Sequence, residues 1–368
     1  ALYLAGKARS EADWLVGINA SRALSIARRG AYSLGRVQTP TLALVCRRFL
    51  EHQGFSSRPY WRLHATIEQD GILLKALCQE RFELKDLAQS VLTALSGQPH
   101  LKILSIEQKC TETPPPLLFD LTTLQKEANR KHGFSADKTL SLAQALYEKK
   151  IISYPRTGSR YISEDVFETI PSLLHQFGVT LSQALNRHAV DDHRVTDHHA
   201  LLPTGESPEG LSPEEATIYQ MIRSRFIEAF APNSEEERMQ AELSDGTYHY
   251  SWRATRRLSL GWRAYSQDGG KDKAEATDDE EELLEQLPTL AEGERLPLRH
   301  TGITEHQTKP KPLFTEASLL SAMEHAGREL TDAESRKAIA ECGLGTPATR
   351  ASIIETLILR ELIRREKK

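Results

Sequence analysis

Apolar residues recur at helical spacing in several long stretches of the chain, and capping residues mark where many of them begin. Between residues 10 and 29 they share one face, and acidic residues follow Ser10, which predicts a helix that starts at Ser10. A second helix is predicted with Thr39 as its cap and Pro40 as its first residue. Further helices are predicted over residues 85–95, 121–132, 135–150 and 211–231, and from Ser163, Thr315 and Thr346 onward.

In two sections of the chain apolar and polar residues alternate instead, with a period of two, which predicts strands. The first section holds residues 61–67, 71–77 and 101–109. The second runs from 236 to 266, with Gly261–Tyr265 as a strand, and resumes at 296–304. Proline-rich stretches at 114–116 and 309–312 mark boundaries. The glycine-rich, then acidic residues 267–282 predict an exposed loop.

The order of these sections is helical, β-rich, helical, β-rich and helical, which indicates one β section split by an inserted helical unit. A chain of 368 residues is also too long for one ordinary core. We therefore predict a multidomain α+β protein whose first and last helical segments are halves of one domain. The predicted segments are 1–58, 59–115, 116–207, 208–308 and 309–368.

Composition narrows the class of protein. An apolar content of 39% and a charged content of 27% are typical of a soluble globular protein. No apolar run reaches the length of a membrane span, and the start shows no signal-peptide pattern. The four cysteines form no C-x-x-C pair, so they indicate neither a zinc ribbon nor a disulfide framework, and they favour a reduced, cytoplasmic compartment.

Charge is unevenly spread along the chain. The net charge of −4 argues against a nucleic-acid partner, but no Asp or Glu occurs from Trp14 to Leu50. That stretch contains Arg22, Arg28, Arg29, Arg36, Arg47 and Arg48. Local fields matter more than the net charge for a polyanionic partner, so this stretch favours anion binding.

One tyrosine stands in a setting that suits chemistry, within the sequence Ile-Ile-Ser-Tyr-Pro-Arg-Thr that begins at Ile151. Pro155 disfavours helical geometry at Tyr154, and strand alternation then points Tyr154 and Arg156 to the same side. A phenol is a weak nucleophile, with a pKa of about 10. A neighbouring guanidinium can favour the phenolate and can also bind a phosphate that the phenolate attacks. The pattern is also typical of a core tyrosine beside a solvated arginine, so both interpretations stay open here.

Two predicted helix starts carry groups that suit an anion. Residues 35–40 place a glycine, Arg36 and Gln38 just before the second helix. Residues 343–350 place two glycines, two threonines and Arg350 at the start of the last one. Free backbone N–H groups and the helix dipole favour phosphate at such ends. A capped surface loop is the alternative in each case.

Residues 188–204 are rich in histidine and aspartate, but their spacing does not favour a metal. His198 and His199 are adjacent, so their side chains do not face one site on a helix or a strand. We therefore predict no metal site in this chain. A histidine that carries a proton or binds phosphate is the favoured interpretation.

Five motifs in order give the chain a resemblance to type IA DNA topoisomerases and, within that family, to topoisomerase III. They cover nearly the whole chain and lie at residues 11–17, 35–40, 152–157, 197–204 and 345–350. The resemblance implies a toroidal core with a split β arch and winged-helix-like helical domains. It also implies cleavage of single-stranded DNA through a 5′-phosphotyrosine, passage of another strand and resealing without ATP.

The resemblance implies a role for particular residues. Tyr154 would be the nucleophile, Arg156 would stabilise the charge on the scissile phosphate, and His198 would assist through the phosphate or a proton relay. The residues that would hold single-stranded DNA are Arg36, Gln38, Thr346, Thr349 and Arg350. Segments 1–58 and 309–368 would form the DNA-binding helical domain, and 116–207 would carry the tyrosine.

The chain departs from the family's pattern in one respect. The family's acidic cluster lies in an N-terminal Toprim domain, which binds Mg²⁺, and no such segment precedes Ala1. We therefore expect a fragment that binds single-stranded DNA but is not a complete enzyme. The resemblance implies a bacterial, cytoplasmic protein associated with the nucleoid or a plasmid, and it leaves a helicase partner open.

Two rival interpretations remain. One is a single-strand binding module without catalysis. The other is a tyrosine relaxase, which needs a metal held by two histidines that flank one apolar residue. The adjacent pair His198 and His199 lacks that intervening residue.

Overall fold

The structure is a computed structural model that describes residues 2–180, 184–266, 281–326 and 343–366. Its strands are β1 (Pro59–Gln69), β2 (Ile72–Cys78), β3 (His100–Thr113), β4 (Ser234–Ser244), β5 (His249–Ser259), β6 (Glu282–Leu283) and β7 (Arg295–Gln307). Its α-helices are α1 (Leu2–Arg28), α2 (Gln38–Gln53), α3 (Lys85–Ser96), α4 (Leu121–His132), α5 (Ala136–Glu148), α6 (Glu164–Phe167), α7 (Ile170–Gln176), α8 (Pro213–Phe230), α9 (Glu316–Glu324) and α10 (Pro347–Leu359). Two 3₁₀ helices lie at Asp192–Arg194 and Gly261–Tyr265.

The strands form one sheet that closes on itself. Their order is β2-β1-β7-β3-β4-β5-β6, and a further antiparallel pairing of β2 with β5 closes the sheet into a barrel. Alternate side chains of the strands point inward, so large residues such as Leu63, Leu74 and Trp252 fill the interior. Helix α3 covers this core with Ala88 and Val91 among others. The split β section that the sequence predicts is therefore one closed barrel.

The chain leaves the barrel after β3 and returns at β4, and residues 117–230 between them form what we call the tyrosine unit. Two connections, 114–116 and 231–233, join this unit to the barrel. On the other side of the barrel, α2 and α9 are reached through residues 54–58 and 308–314, which run side by side because Thr308 N–H donates to Arg58 C=O at 3.0 Å. Helices α4 and α5 then contact α9 and α10, so the units form a ring.

Helix α8 packs within the tyrosine unit. Its residues Ile218 and Ile222 share a core with Leu124 of α4 and Leu146 of α5. The predicted division places this helix with the second β segment, residues 208–308. The five-segment division stays a prediction, but this packing joins α8 to the tyrosine-bearing helices instead.

Three predicted elements differ from the structure. Helix α1 begins at Leu2 rather than at Ser10, because the favourable helix formers that precede Ser10 extend it. Helix α2 begins after Val37, and Thr39 does not cap it; the Thr39 hydroxyl accepts from Gly35 N–H instead. The predicted strand Gly261–Tyr265 is a 3₁₀ helix, in which Gly261 has φ +49° and lies against the Asn233 backbone. Residues 267–280 of the predicted loop 267–282 lie outside the described residues.

The turn that leads from α5 to Tyr154 ends the helix in a left-handed conformation. Lys150 has φ +61°, Lys150 N–H donates to Tyr147 C=O at 2.8 Å, and Ile151 N–H donates to Leu146 C=O at 3.0 Å. This is a Schellman cap, which usually places glycine where Lys150 stands. The Cβ of Lys150 therefore makes this turn strained.

Substituting Lys150 by glycine is expected to stabilise the chain. Relief of the left-handed strain outweighs the added freedom of glycine in the unfolded chain, for a net gain of about 0.5–1 kcal/mol. Urea unfolding followed by circular dichroism measures the change. Lys150→Ala is the matched control, because it shortens the side chain but keeps Cβ and should leave the free energy of unfolding unchanged. Equal effects of the two variants would show that strain at this position is not the cause.

Candidate active site around Tyr154

Tyr154 lies in a loop that two buried residues fix to the core. Ile151 and Ile152 pack among residues of α4, α5 and α8 and are almost fully buried. Pro155 is buried as well, while Tyr154 itself is half-buried. The loop, residues 151–160, is called the tyrosine loop below.

A second segment, residues 198–204, runs beside the tyrosine loop and is hydrogen-bonded to it at both ends. Ser153 N–H donates to Leu202 C=O at 2.8 Å, and Leu202 N–H donates to the Ser153 hydroxyl at 2.9 Å. At the other end the Thr157 hydroxyl donates to His198 C=O at 3.1 Å. We call these contacts the loop pairing. Since they flank Tyr154 on both sides, they fix its backbone relative to His198.

The ring of Tyr154 lies between two other rings. Its centroid is 4.6 Å from that of His198 and 5.4 Å from that of Tyr147, which meets it edge to face. No described residue forms a hydrogen bond with the Tyr154 hydroxyl. The phenol is therefore held by its neighbours while its oxygen stays available to an incoming group.

Arg156 and His198 supply exposed groups beside this tyrosine. In the described part of the chain the Arg156 side chain makes no hydrogen bond or ion pair, and it is exposed. His198 is exposed too, whereas the ring of His199 contacts Ala200 C=O at 2.7 Å. The structure thus brings Tyr154 next to His198 rather than His199. The catalytic roles of these residues stay predictions.

The start of α10 approaches the tyrosine loop. A Cβ at Gly158 would lie 3.6 Å from Cγ of Pro347, the first residue of α10. Thr346 and Thr349 form a capping box, with Thr346 N–H donating to the Thr349 hydroxyl at 2.9 Å. The predicted cap and first residue of this helix are therefore correct, and Pro347 lies beside Gly158 of the tyrosine loop.

Arg350 is placed differently from its predicted role as a DNA contact. It is 4% exposed, and its guanidinium donates to the Thr122 hydroxyl at 3.2 Å and to Leu344 C=O at 3.2 Å. Burial lowers the pKa of this guanidinium, while the nearby Glu324 opposes that shift. Because the group is enclosed by its own chain, it cannot reach a DNA strand in this conformation. The sequence indicates that Arg350 lies at a helix start, but it does not indicate that the side chain is buried.

Arg36 precedes α2 and Gln38 is its first residue, and their contacts lie apart from the tyrosine loop. The Arg36 guanidinium donates to both oxygens of Asp13, at 2.8 and 3.2 Å, and this pairing raises its pKa. The Gln38 side-chain oxygen accepts from Arg360 at 3.0 Å, while its Nε2 is buried without a partner among the described residues. Neither side chain contacts Tyr154 in the described part of the chain, so these two predicted residues are not brought into the tyrosine site.

Three residues of the site were not singled out from the sequence. Ser153 and Thr157 position the tyrosine loop, and Tyr147 packs against Tyr154. The hydroxyl residues flanking Tyr154 were a visible signal, but their partners lie more than forty residues away and could not be identified. Tyr147 stands in the last turn of α5, where helical spacing does not reveal a contact with a residue beyond the helix end.

Within residues 2–180, 184–266, 281–326 and 343–366, no three acidic, histidine or cysteine side chains are placed to hold a metal ion. None of the helices in these ranges has the length and apolar content needed to cross a membrane.

Comparisons with known proteins place the chain among topoisomerases. A family model described as DNA topoisomerase matches residues 1–368. The chain is 38% identical to DNA topoisomerase 3 of Bacillus licheniformis over 390 residues, which is 100% of this chain and 52% of that protein. It is 37% identical to DNA topoisomerase 3 of Shouchella clausii over 377 residues, 97% of this chain and 50% of that protein. The chain thus spans about half the length of these curated relatives.

A solved structure agrees with this result. Full-length topoisomerase I from Thermotoga maritima matches with a TM-score of 0.73 and 28% identity, over 99% of this chain and 57% of that chain. The α+β toroidal fold predicted from the sequence is therefore confirmed.

Removing the Thr157 hydroxyl is expected to destabilise the tyrosine loop. Thr157 is 1% exposed, and Thr157→Val leaves His198 C=O and Ser159 N–H without this partner at nearly the same volume. We expect a loss of about 1–3 kcal/mol in the free energy of unfolding, measured by urea denaturation. Thr93→Val is the control, since its exposed hydroxyl bonds only within α3 and its loss should cost less than about 0.5 kcal/mol. A Thr157→Val effect as small as the control's would argue against the loop pairing.

Proposed function

Because this chain belongs to the DNA topoisomerase family, of type IA, we propose that Tyr154 is its DNA-cleaving nucleophile. The observation that carries the proposal is the placement of Tyr154: its ring is fixed between His198 and Tyr147, while its hydroxyl and the Arg156 guanidinium are without partners among the described residues. Such a group is pre-organised for attack on a phosphate of a single DNA strand.

The proposed reaction exchanges one ester bond for another. The Tyr154 oxygen forms a bond to phosphorus, the bond from phosphorus to the 3′ oxygen breaks, and the 5′ phosphate stays on the tyrosine. The phenol loses its proton, and the leaving 3′ oxygen gains one. Because the phosphotyrosine retains the energy of the phosphodiester, the reverse reaction reseals the strand without ATP.

Arg156 and His198 would act on this phosphate in different ways. The Arg156 guanidinium carries a fixed charge that stabilises the negative charge on the phosphate as it is attacked. His198 lies against the Tyr154 ring, where it can contact the phosphate or carry the proton between the two oxygens. Arg350, being buried, would act instead as a positioning residue: it binds Thr122, next to Leu121, whose N–H donates to Thr157 C=O at 3.1 Å.

The activity of the whole protein requires more than this chain. The described residues do not fit a Mg²⁺ site, so we assign no ligand and no step to the metal here. The resemblance implies that a Toprim domain would hold the ion, which would supply positive charge beside the DNA. Since the chain spans about half of its curated relatives, we propose that it binds single-stranded DNA but does not relax DNA by itself. We propose that it acts in the bacterial cytoplasm.

Binding of single-stranded DNA should depend on Arg36. Its release from Asp13 would let the guanidinium bind a phosphate, so Arg36→Ala should weaken binding several-fold and reduce the salt slope by about 0.7. Asp13→Asn should strengthen binding, because it removes the competing carboxylate. Fluorescence anisotropy with a labelled oligonucleotide at several salt concentrations measures both effects. Arg299→Ala removes an equally charged, exposed arginine on β7 and should not change the salt slope. Equal salt slopes for Arg36→Ala and Arg299→Ala would show that Arg36 does not bind the DNA strand.

Supercoiled plasmid provides a second test. The purified 368-residue chain with Mg²⁺ should leave the plasmid supercoiled, because the described residues hold no metal site and the chain spans about half of its curated relatives. Robust Mg²⁺-dependent relaxation, absent in Tyr154→Phe, would contradict the proposal that this chain is catalytically incomplete.

A further inference from the structure

The ring has one closure that no covalent bond secures. The tyrosine unit is joined to the barrel through residues 114–116 and 231–233, while α4 and α5 meet α9 and α10 only through side-chain and backbone contacts. On the proposed function, one cut DNA end is attached to Tyr154. Passing another strand then requires Tyr154 to move away from the other end. The contact of α4 and α5 with α9 and α10 is where such an opening can occur without breaking the chain.

One backbone amide in the first turn of α5 and one in the first turn of α9 are each satisfied from the opposite side of this contact. Ser135 caps α5 by accepting from Lys138 N–H, yet the earlier amide of Ala136 donates to Glu316 Oε2 at 2.8 Å. Glu316 belongs to α9. A carboxylate at a helix start is favoured by both the free N–H group and the helix dipole.

Helix α9 shows the same arrangement in reverse. Thr315 caps it by accepting from Ser318 N–H, and the earlier amide of Ala317 donates to Asn129 Oδ1 at 3.1 Å. Asn129 belongs to α4, where its Nδ2 donates to Phe134 C=O at 2.9 Å. That second bond fixes which amide atom faces α9. Each helix therefore has its own cap and one borrowed acceptor.

Polar contacts as well as apolar packing hold this interface closed. Lys126 forms an ion pair with Glu324, and Arg350 donates to Thr122. The Ala136 side chain is 1% exposed because it packs among residues of the opposite helices. Those residues are Leu319, Leu320, Met323, Ala351 and Ile354.

We propose that Glu316 and Asn129 form a reciprocal cap that latches the ring closed at the contact of α4 and α5 with α9 and α10. Opening removes an acceptor from the first turn of both helices at once. The two helix starts are then exposed to water with their own caps intact, so each helix persists in the open ring. The role of the latch in strand passage rests on the proposed function, but the latch itself can be tested without DNA.

The test measures how often the interface opens. Ala136→Cys places a thiol whose burial depends on α9 and α10, while its backbone N–H is kept. The exposed Cys46 and Cys110, together with Cys342, are replaced by serine, and Cys78 stays because it is fully buried. The rate of reaction with a thiol reagent then follows the open population, even when that population is small.

Removing the acceptor on α9 should speed this reaction. Glu316→Ala is expected to raise the rate about tenfold, because losing one helix cap changes the population of the open interface by about that factor. Glu316 also pairs with Arg365, and Glu355→Ala is the matched control because it removes the other partner of Arg365 without touching α5. Asn129→Ser withdraws the acceptor from Ala317 N–H on the other helix start, so it should accelerate the reaction as well.

Circular dichroism on each variant shows whether α4, α5, α9 and α10 remain folded. A Glu316→Ala rate no faster than that of Glu355→Ala, in a folded protein, would overturn the latch. Oligonucleotide binding by the same variants keeps the two proposals apart. Loss of the latch effect with normal binding would refute only the latch, and a latch effect without any binding would refute only the proposed function.

Discussion

The loop pairing between residues 151–157 and 198–204 is the constraint on which the candidate site depends. Ser153 exchanges hydrogen bonds with Leu202, and Thr157 binds His198 C=O, so the backbone on both sides of Tyr154 is fixed. Without these bonds the phenol and the imidazole would each lie on a mobile loop. A rigid backbone explains how a half-buried tyrosine can keep its hydroxyl open to an incoming group.

The ring architecture extends this constraint to the rest of the molecule. Leu121 N–H holds Thr157 C=O, and the buried Arg350 holds the neighbouring Thr122 from α10. Helix α4, which carries Asn129 of the reciprocal cap, therefore also contacts the tyrosine loop. In the closed ring the position of Tyr154 and the closure of the interface are coupled, because both depend on how α4 meets α9 and α10.

Local signals predicted much of this structure. Helix α4 matches its predicted bounds, and Thr315 and Thr346, from which two helices are predicted, cap α9 and α10, since a cap is a property of neighbouring residues. Closure of the sheet was not predictable, because β2 meets β5 across a long stretch of chain. For the same reason the burial of Arg350 and the pairing of Arg36 with Asp13 were missed: each depends on a residue distant in sequence. Tyr154 and His198 were found through motifs, and the structure adds that their rings touch.

The most direct measurement of the central claim is to identify the residue that becomes attached to DNA. The complete protein, with a Toprim domain present, would be trapped on a single-stranded oligonucleotide and digested with trypsin for mass spectrometry. We expect the peptide Ile151–Arg156 to carry a 5′ phosphate of the DNA on Tyr154, and Tyr154→Phe to bind the oligonucleotide without forming the adduct. An adduct on another residue, or one that persists in Tyr154→Phe, would contradict the account.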